Sequence, residues 1–223
     1  MVTFRRTAYM FIFVLSCLPS YMVAQGSRTL APDLFLLAQQ GQFQVFNREA
    51  SAFEDGQYKG TRMSERGSDG VAWIRDITFG NGVIDLDIRG RDVLQKSFVG
   101  IAFHGVDDKT YDAVYFRPFN FQATDFVRRI HAVQYISHPD FTWKRLREER
   151  NGLYEKAITP APRANEWFHV TIVVQHPKVQ VFVNGKAEPA LSVEQLSKRG
   201  TGKIGIWVGD QSNGDFANLK ITQ

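Results

Sequence analysis

From Phe43 to the end of the chain, apolar and polar residues alternate in short runs that Gly, Asn and Asp interrupt. A period of two, in runs rich in Val, Ile and Phe, predicts strands, because successive side chains of a strand point to opposite faces. The runs are QFQVF, AFEDGQYKGTRMS, DGVAWI, GVIDLDIRG, SFVGIAFHG, YDAVYFRPF, HAVQYIS, WFHVTIVVQ, KVQVFVNG, GKIGIWVG and FANLKIT. About ten short strands with little helix predict an all-β fold, an antiparallel sandwich of two sheets.

Three segments depart from this rhythm. The apolar residues between Leu34 and Gln39 predict one helical turn. Residues 139–157, PDFTWKRLREERNGLYEKA, combine helix formers and charge with Gly152 as a C-terminal stop, and they predict a short surface helix inserted between strands. Residues 192–200, SVEQLSKRG, predict a single helical turn.

The first residues have the layout of a secretory signal peptide. Arg5 and Arg6 precede an apolar run over 8–18, and the small residue Ala24 follows. The expected organisation is a signal peptide over 1–24, a linker over 25–42 and one sandwich domain over 43–223. We therefore expect a secreted or periplasmic protein.

Cys17 offers an alternative interpretation of the same segment. The tetrapeptide VLSC that it closes is typical of a lipoprotein signal, in which the lipidated cysteine anchors the protein to a membrane. No later run is apolar for long enough to span a bilayer.

Charge and cysteine content exclude some classes of function. The net charge of the 223-residue chain is +4, and loss of Arg5 and Arg6 with the leader lowers it to +2. So small an excess gives little electrostatic reason to expect a nucleic-acid partner. The only cysteine lies in the leader, so the domain has no disulfide, and no histidine pair has the spacing of a zinc motif.

Strand alternation places candidate chemistry on one face. In VIDLDIR the apolar residues enter the core, and Asp85 and Asp87 point outward beside Arg89. In SFVGIAFHG the face opposite the apolar residues carries Gly100, Ala102 and His104. In DAVYFRPF, Tyr115 and Arg117 share a face.

These rows predict a polar hollow above one sheet, because small residues leave room beside larger polar ones. Its expected lining consists of Asp85, Asp87, His104, Tyr115, Arg117 and Gln134. Trp143 in the 139–157 insert is expected to close over it. The competing interpretation is an ordinary half-exposed sheet, on which such residues are common.

The second half of the chain resembles the concanavalin A-like jelly roll superfamily, which includes laminin-G-like domains, legume-type lectins and many glycan-acting enzymes. A Trp-containing strand, a turn and a strand ending in Asn-Gly carry the resemblance, together with a last strand of the F-x-N-x-x-I type. The residues are Trp167, His169 and Val170, Val179 to Val183, Asn184 and Gly185, and Phe216, Asn218 and Ile221. The resemblance covers about 43–222.

Within that superfamily the chain is similar to exported bacterial domains described as 3-keto-disaccharide hydrolase-like or family 16 glycoside-hydrolase-like. The E-x-D-x-x-E strand of true family 16 enzymes is missing. The resemblance implies a carbohydrate ligand and, from the superfamily, a structural calcium ion. The loop DQSNGD, from Asp210 to Asp215, has suitable oxygen ligands but is equally a plain polar turn.

Three residues are candidates for acid/base chemistry, although two aspartates beside Arg89 on a solvated strand are more often plain surface charge. Asp85 and Asp87 lie on one face about 7 Å apart along a strand, close to the separations found in glycosidases. His104 ends a strand with small neighbours and is the best general acid or base among the histidines. No cofactor is expected.

Three functions remain open at this point. The first is cleavage of a glycoside by a hydrolase or a lyase, with the 3-keto-glycosides of the resembled family as a narrower option. The expected catalytic residues are His104, Asp85 and Asp87, and the expected substrate-binding residues are Tyr115, Arg117, Gln134 and Trp143. The second is carbohydrate binding without turnover, and the third is a laminin-G-like protein-interaction domain. The fold alone does not choose among them.

Overall fold

The computed structural model describes residues 27–223 as two antiparallel sheets packed face to face. The predicted all-β sandwich is confirmed. The elements in chain order are β1 (Thr29–Leu30), α1 (Leu34–Gln39), β2 (Phe43–Phe46), β3 (Ala50–Asp55), β4 (Tyr58–Met63), β5 (Gly70–Phe79), β6 (Gly82–Arg89), β7 (Val99–Asp107), β8 (Thr110–Phe116), α2 (Pro118–Phe121), α3 (Phe126–Arg129), β9 (Val133–Ser137), α4 (Trp143–Glu149), β10 (Glu155–Lys156), β11 (Phe168–Gln175), β12 (Lys178–Val183), β13 (Leu191–Glu194), β14 (Gly202–Val208) and β15 (Gly214–Thr222).

The two sheets draw their strands from distant parts of the chain. Sheet A has eight strands in the order β13-β12-β11-β6-β15-β4-β3, with β1 added beside β15. Sheet B has seven, in the order β10-β9-β8-β7-β14-β5-β2. Consecutive strands β6 and β7 therefore belong to different sheets, and this crossing decides where the candidate residues lie.

The core between the sheets follows the alternation of the sequence. Ile84, Leu86 and Ile88 of β6 are fully buried, and Val99 and Ile101 of β7 face them from sheet B. Burial of each such side chain stabilises the fold by about 1.5–3 kcal/mol relative to exposure. The inward faces predicted for these strands are confirmed.

The outer face of sheet B carries a second apolar cluster where the sequence predicted a polar hollow. Trp73, Tyr111 and Trp207 lie over the small residues Ala102 and Ala113, and each aromatic ring is at most 3% exposed. Leu146 of α4 packs on the same cluster. The space above the small residues is therefore filled by aromatic rings and by the insert.

Local predictions outside the strands have mixed outcomes. α1 spans the predicted residues and begins at Asp33, whose side chain accepts from Leu36 N. α4 lies within the 139–157 insert, and Thr142 caps it. The helical turn predicted over 192–200 is wrong, because residues 191–194 form β13 and pair with β12. The short helices α2 and α3 were not predicted.

The segment preceding Phe43 is part of the sandwich from Thr29 onward. β1 pairs with β15, Leu30 opposite Ile221, and α1 packs against β3 and β4. Thus the residues interpreted as a linker extend sheet A and cover one end of it. The predicted signal peptide and Cys17 lie outside the described residues. Within 27–223, no helix is long and apolar enough to cross a membrane.

Candidate functional site

The predicted site residues do not share one hollow. His104, Tyr115 and Gln134 lie on sheet B, whereas Asp85 and Asp87 lie on β6 in the middle of sheet A. Alternation was interpreted correctly for β6 and for β7 as far as Phe103, but it carries no information on which sheet a strand joins. The predicted common lining is therefore wrong.

His104 lies in the interior of the sandwich, with no exposed surface. The register between β7 and β8 shifts after Phe103, and His104 has a φ of 51°, so the strict alternation ends at this residue. Its Nε2 lies 3.0 Å from the carbonyl oxygen of Gly80, and its Nδ1 lies 3.0 Å from Nε2 of Gln195. Both ring nitrogens have structural partners, which leaves His104 without access to a substrate.

Beside His104, the buried Asp112 anchors the segment that follows β13. Its carboxylate accepts from Ser197 Oγ at 2.6 Å and from Arg199 Nη2 at 2.7 Å. Burial alone would raise the pKa of Asp112, but hydrogen bonds from His104 and Ser197 and the charge of Arg199 outweigh it and hold the pKa below its usual range. The cluster is a structural clamp.

Tyr115, Arg117 and Gln134 do lie together, but in a buried network. Gln134 Oε1 accepts from the Tyr115 hydroxyl at 2.6 Å and also from Arg117, and each of the three residues is at most 4% exposed. Arg117 also pairs with Glu155 of β10. The prediction that these residues rim an open hollow is wrong, because the insert covers them.

Glu155 connects that network to the insert. Its carboxylate accepts two hydrogen bonds from Arg147 of α4, at 3.0 and 2.7 Å. Burial raises the pKa of Glu155, but the hydrogen bond from Arg147 and the charges of Arg117 and Arg147 outweigh this and bring the pKa below its usual value. α4 is thus fixed to sheet B through the buried carboxylate of Glu155, while the Arg147 side chain stays 34% exposed.

Trp143 occupies the outer side of that helix. It is 49% exposed, and its ring contacts the guanidinium of Arg147 at 5.3 Å. The residue therefore covers the arginine that anchors α4, and the predicted closure over a substrate hollow has no hollow beneath it.

Asp85 and Asp87 lie on the outer face of sheet A, around His169 of β11. His169 Nδ1 is 2.8 Å from Asp87 Oδ1, and His169 Nε2 is 3.6 Å from Asp85 Oδ1. Thr171 donates to Asp85 at 2.6 Å, and Asn218 donates to Asp87 at 2.7 Å. The imidazole is 43% exposed, so this row is a hydrogen-bonded surface in contact with solvent.

The protonation of this row follows from its pairing. The hydrogen bond to Asp87 raises the pKa of His169 against the opposing effect of partial burial. Partial burial would raise the pKa of Asp87, but the hydrogen bonds from His169 and Asn218 outweigh it and lower the pKa. Each group holds the other in its charged form, which is suited to an ion pair more than to proton transfer.

Sheet B carries a second acid/base cluster, which the sequence analysis missed. The Tyr111 hydroxyl donates to Asp69 Oδ2 at 3.4 Å and accepts from Trp207 Nε1 at 3.0 Å. His138 stacks on the Tyr111 ring, with centroids 5.1 Å apart, and its Nδ1 lies 4.0 Å from Asp69 Oδ2. Asp69 is 36% exposed and His138 18% exposed, so both reach solvent from an apolar floor.

The backbone around Asp69 is held from several sides. Asn47 Nδ2 donates to the carbonyl oxygens of Gly67 and Asp69, both at 2.8 Å. The buried Arg48 donates to the carbonyl oxygens of Ser68 and Gly209, and Ser68 N donates to Asp210 Oδ1. Ser68 has a φ of 63° and Asn47 a φ of 53°. Such conformations persist where surrounding contacts fix them, as happens at functional sites.

The three titratable groups of this cluster have shifted proton affinities. Burial raises the pKa of Asp69 to about 6. The effect of burial is larger than the opposite effects of the hydrogen bond from Tyr111 and the charge of Arg48. Burial, followed by the charge of Arg199, lowers the pKa of His138. Burial also raises the pKa of Tyr111, so that its hydroxyl stays protonated. A carboxyl that titrates near neutrality beside a neutral imidazole is suited to move protons.

A second carboxylate borders the same aromatic floor. Trp73 Nε1 donates to Asp108 Oδ1 at 2.8 Å, and the Trp73 ring contacts Tyr111 edge to face at 5.9 Å. Trp73 thus presents its N–H group to the polar rim while its ring stays in the floor. Asp69 and Asp108 are the acidic groups of the rim.

The loop considered for calcium uses its carboxylates elsewhere. Asp210 accepts from Ser68 N, and Asp215 accepts from Arg62 and Arg89. Across residues 27–223, no three or more His, Cys, Asp or Glu side chains are grouped closely enough to hold a metal ion.

Two antiparallel sheets packed face to face form a jelly-roll sandwich of the concanavalin A-like kind. Residues 38–222 match the 3-keto-alpha-glucoside-1,2-lyase-like domain, and the chain belongs to this family. The resemblance drawn from the sequence is confirmed, and the domain is carbohydrate-related. Among curated proteins, none matches the chain.

Solved structures share the fold at low sequence identity. The carbohydrate-binding module CBM66 from Bacillus subtilis has a TM-score of 0.55 and 12% identity, over 80% of this chain and 97% of that one. A Bacillus subtilis protein of unknown function with a galectin-like fold gives 0.56 and 12%, over 87% and 98%. The metal-free carbohydrate recognition domain of Emp46p gives 0.54 and 8%, over 86% and 94%.

Proposed function

We propose that this protein is an enzyme that cleaves the glycosidic bond of a 3-keto-α-glucoside on the outer face of sheet B. The observation that carries the proposal is Asp69, a carboxyl with a pKa of about 6 that is held 3.4 Å from the Tyr111 hydroxyl and 4.0 Å from His138. The family supplies the substrate class. No other group of the described residues combines exposure, a raised carboxyl pKa and a neutral imidazole.

The chemistry that such a substrate needs is proton transfer. A ketone at C3 acidifies the hydrogen on C2, which the Asp69 carboxylate removes. The electron pair of the C2–H bond forms the C1=C2 double bond, and the pair of the C1–O bond leaves with the departing oxygen. Addition of water across the double bond completes a net hydrolysis.

The departing oxygen takes a proton from Nε2 of His138. Nδ1 of His138 faces Asp69, so the proton that Asp69 has taken passes to Nδ1 and restores the neutral imidazole. The 4.0 Å separation is longer than a hydrogen bond, and distances of this kind shorten when a substrate fills a site. Tyr111 keeps its proton and orients Asp69 Oδ2.

The deciding experiment compares the two outer faces. The purified protein is incubated with 3-keto-α-glucosides and with the unoxidised glucosides, and release of the aglycone is measured for wild type, Asp69→Asn and Asp85→Asn. We expect Asp69→Asn to lose about 10²–10⁴-fold in kcat, the usual contribution of a general base. Asp85→Asn is the matched carboxylate control, and its kcat is expected to stay within about twofold of wild type.

Two other outcomes point away from the proposal. Loss of turnover in Asp85→Asn with retention in Asp69→Asn would move the site to sheet A. Retention of sugars without release by wild type would support a carbohydrate-binding module, a function that proteins of this fold also have. A panel of glycans, measured in the same buffer for binding and for release of sugar, distinguishes these two outcomes.

We also infer export, from the charged and apolar pattern of residues 1–24. Fractionation of cells that produce the full chain tests it, and Cys17→Ser is expected to leave the product soluble in the exported fraction. A wild-type protein that partitions into the membrane and a Cys17→Ser protein that does not would indicate lipid anchoring instead.

A further inference from the structure

The loop that carries Asp69 packs on a buried arginine. Arg48, which follows β2, is 7% exposed. Its Nη1 donates to Asn47 O at 2.6 Å, and its Nη2 donates to Ser68 O at 2.5 Å and to Gly209 O at 2.8 Å. Its Nε has no hydrogen-bond partner within residues 27–223. The guanidinium therefore lies in the interior without a carboxylate in hydrogen-bond contact.

This arrangement is costly and needs a reason. A guanidinium stays protonated in a protein, so Arg48 brings a full positive charge into the interior. Buried charges are usually paired with an opposite charge, because burial removes the water that would otherwise stabilise them. Departures from such local rules are expected at functional sites.

The three carbonyl bonds fix the position of the Asp69 loop. Through Ser68 and Gly209, Arg48 connects the loop before β5 to the turn after β14. The contact is close, because a Cβ atom on Gly70 would lie 2.3 Å from Arg48 Cγ. The arginine side chain thus occupies the space beside the residue that follows Asp69.

The charged groups around Arg48 are few. Burial lowers the pKa of Arg48, the carboxylates of Asp69, Asp210 and Glu65 oppose this effect, and Arg66 adds to it. Asp69 has the largest effect of the three carboxylates. Asp210 is engaged by Ser68 N at 2.6 Å, and Glu65 pairs with Arg91. Asp69 is therefore the carboxylate that most directly offsets the charge of Arg48.

The same electrostatic relation holds from the side of Asp69. Burial raises the pKa of Asp69, the hydrogen bond from Tyr111 and the charge of Arg48 lower it, and the charge of Asp210 raises it further. His138, 4.0 Å away, has its pKa lowered by burial, so that its imidazole is neutral. Loss of the charge of Arg48 would therefore leave Asp69 protonated up to a higher pH, as a weaker supply of carboxylate.

We propose that Arg48 is a positioning residue of the Asp69 cluster, which fixes the loop through three carbonyl oxygens and offsets the negative charge of Asp69. The inference rests on the proposed function in one respect, the use of Asp69 as the base. A merely structural arginine would hold the loop without acting on the titration of Asp69.

Asn47 offers a matched control for the structural role. Its Nδ2 donates to Gly67 O and Asp69 O, so it holds the same loop without carrying a charge. Its φ of 53° is a conformation that glycine adopts readily. Asn47→Gly therefore removes two anchoring bonds and leaves the charge of Arg48 in place.

The test is a titration of Asp69 in the substrate-free protein, followed by the carbon-13 chemical shift of its carboxyl group. The neutral variants are Arg48→Gln, whose amide can still donate to a loop carbonyl, and Arg48→Met. We expect the midpoint of Asp69 to rise by about one pH unit in both, the effect of one neighbouring charge. In Arg48→Lys, which keeps the charge, and in Asn47→Gly the midpoint should stay within about 0.3 of wild type.

Turnover gives a second measurement. The acidic limb of the kcat/KM profile on a 3-keto-α-glucoside should move with the midpoint, so that the neutral variants lose about fivefold at pH 6 and recover part of this loss at higher pH. Thermal denaturation shows which variants are folded, and either neutral variant is sufficient for the titration.

Three results would overturn the inference: an unchanged midpoint in the folded neutral variants, an equal rise in Asn47→Gly, or an equal rise in Arg48→Lys. Because the titration needs no substrate, it decides the role of Arg48 even where the wild-type protein releases no aglycone. That second result would instead count against the proposed enzymatic function.

Discussion

The two outer faces of the sandwich treat their polar residues in opposite ways. On sheet A, Asp85, Asp87 and His169 stay in contact with solvent and pair with one another. On sheet B, Tyr115 and Arg117 are buried under the 139–157 insert, which supplies the buried carboxylate of Glu155. Exposed ion pairs contribute little to stability, whereas a buried charge without its partner is costly. The same residue types therefore have different roles on the two faces.

On sheet B, the residues that hold the insert in place are different from those proposed to carry the chemistry. Its buried network holds the insert in place, whereas Asp69 and His138 at the rim reach solvent. A carboxyl at such a boundary has its pKa raised by burial yet remains accessible to a substrate. The energetics of each face can be tested with single substitutions.

The largest effect is expected from Glu155→Gln, which leaves Arg117 and Arg147 without their carboxylate. We expect the free energy of unfolding to fall by about 3–5 kcal/mol, as for other broken buried pairs. Urea denaturation measures it. Asp87→Asn on sheet A is the control and should cost under about 1 kcal/mol; equal losses in the two variants would contradict the contrast between the faces.

Tyr111→Phe is expected to act on turnover more than on stability. The substitution removes the hydroxyl that links Trp207 to Asp69 and keeps the ring, so kcat should drop about 10- to 100-fold while the protein remains folded, since one orienting hydrogen bond is lost. Steady-state kinetics on a 3-keto-α-glucoside measures this. Tyr58→Phe, on sheet A, should retain wild-type kcat, and a comparable decrease there would argue against sheet B as the site.

The pH dependence of turnover follows from Asp69. A base with a pKa of about 6 is mostly protonated at pH 5 and mostly ionised at pH 7, so kcat/KM should rise about tenfold between these values, as one titrating base requires. The profile is recorded in buffers of constant ionic strength. A rate that is flat from pH 5 to 7 would exclude Asp69 as the base.

The smallest effect is expected from His169→Gln. The pKa of His169 is raised in the folded protein, so its stabilising contribution is complete below its unfolded pKa of about 6.5 and is lost as pH rises through the folded pKa. Because the imidazole is 43% exposed, the difference should stay under about 1 kcal/mol. Stability measured at pH 5.5 and 8.5 should differ less in the variant than in wild type.

The fold could be predicted from local patterns, and the site could not. Alternation identified the inward residues Ile84, Leu86 and Ile88 because burial of a strand face selects every second residue. Nothing local distinguishes Asp69, in a Ser-Asp-Gly turn, from an exposed aspartate. Its neighbours Tyr111, His138 and Trp207 come from other strands, and their approach depends on strand order in the sheet.

His104 is a second residue whose position could not be predicted from the local sequence. Its position among small residues predicted an open location, but the register shift after Phe103 placed it against Gly80 and Gln195 in the interior. A bulge changes the direction of one side chain without changing the composition around it.

Sequence alone determined the strands, most of their inward faces and the family, because each depends on residues close together in the chain. Tertiary structure decided which sheet each strand joined, which polar residues the insert covered, and which carboxyl met a histidine. Those outcomes depend on contacts between distant segments, and the resulting loss of water around a charged group sets its pKa and its use.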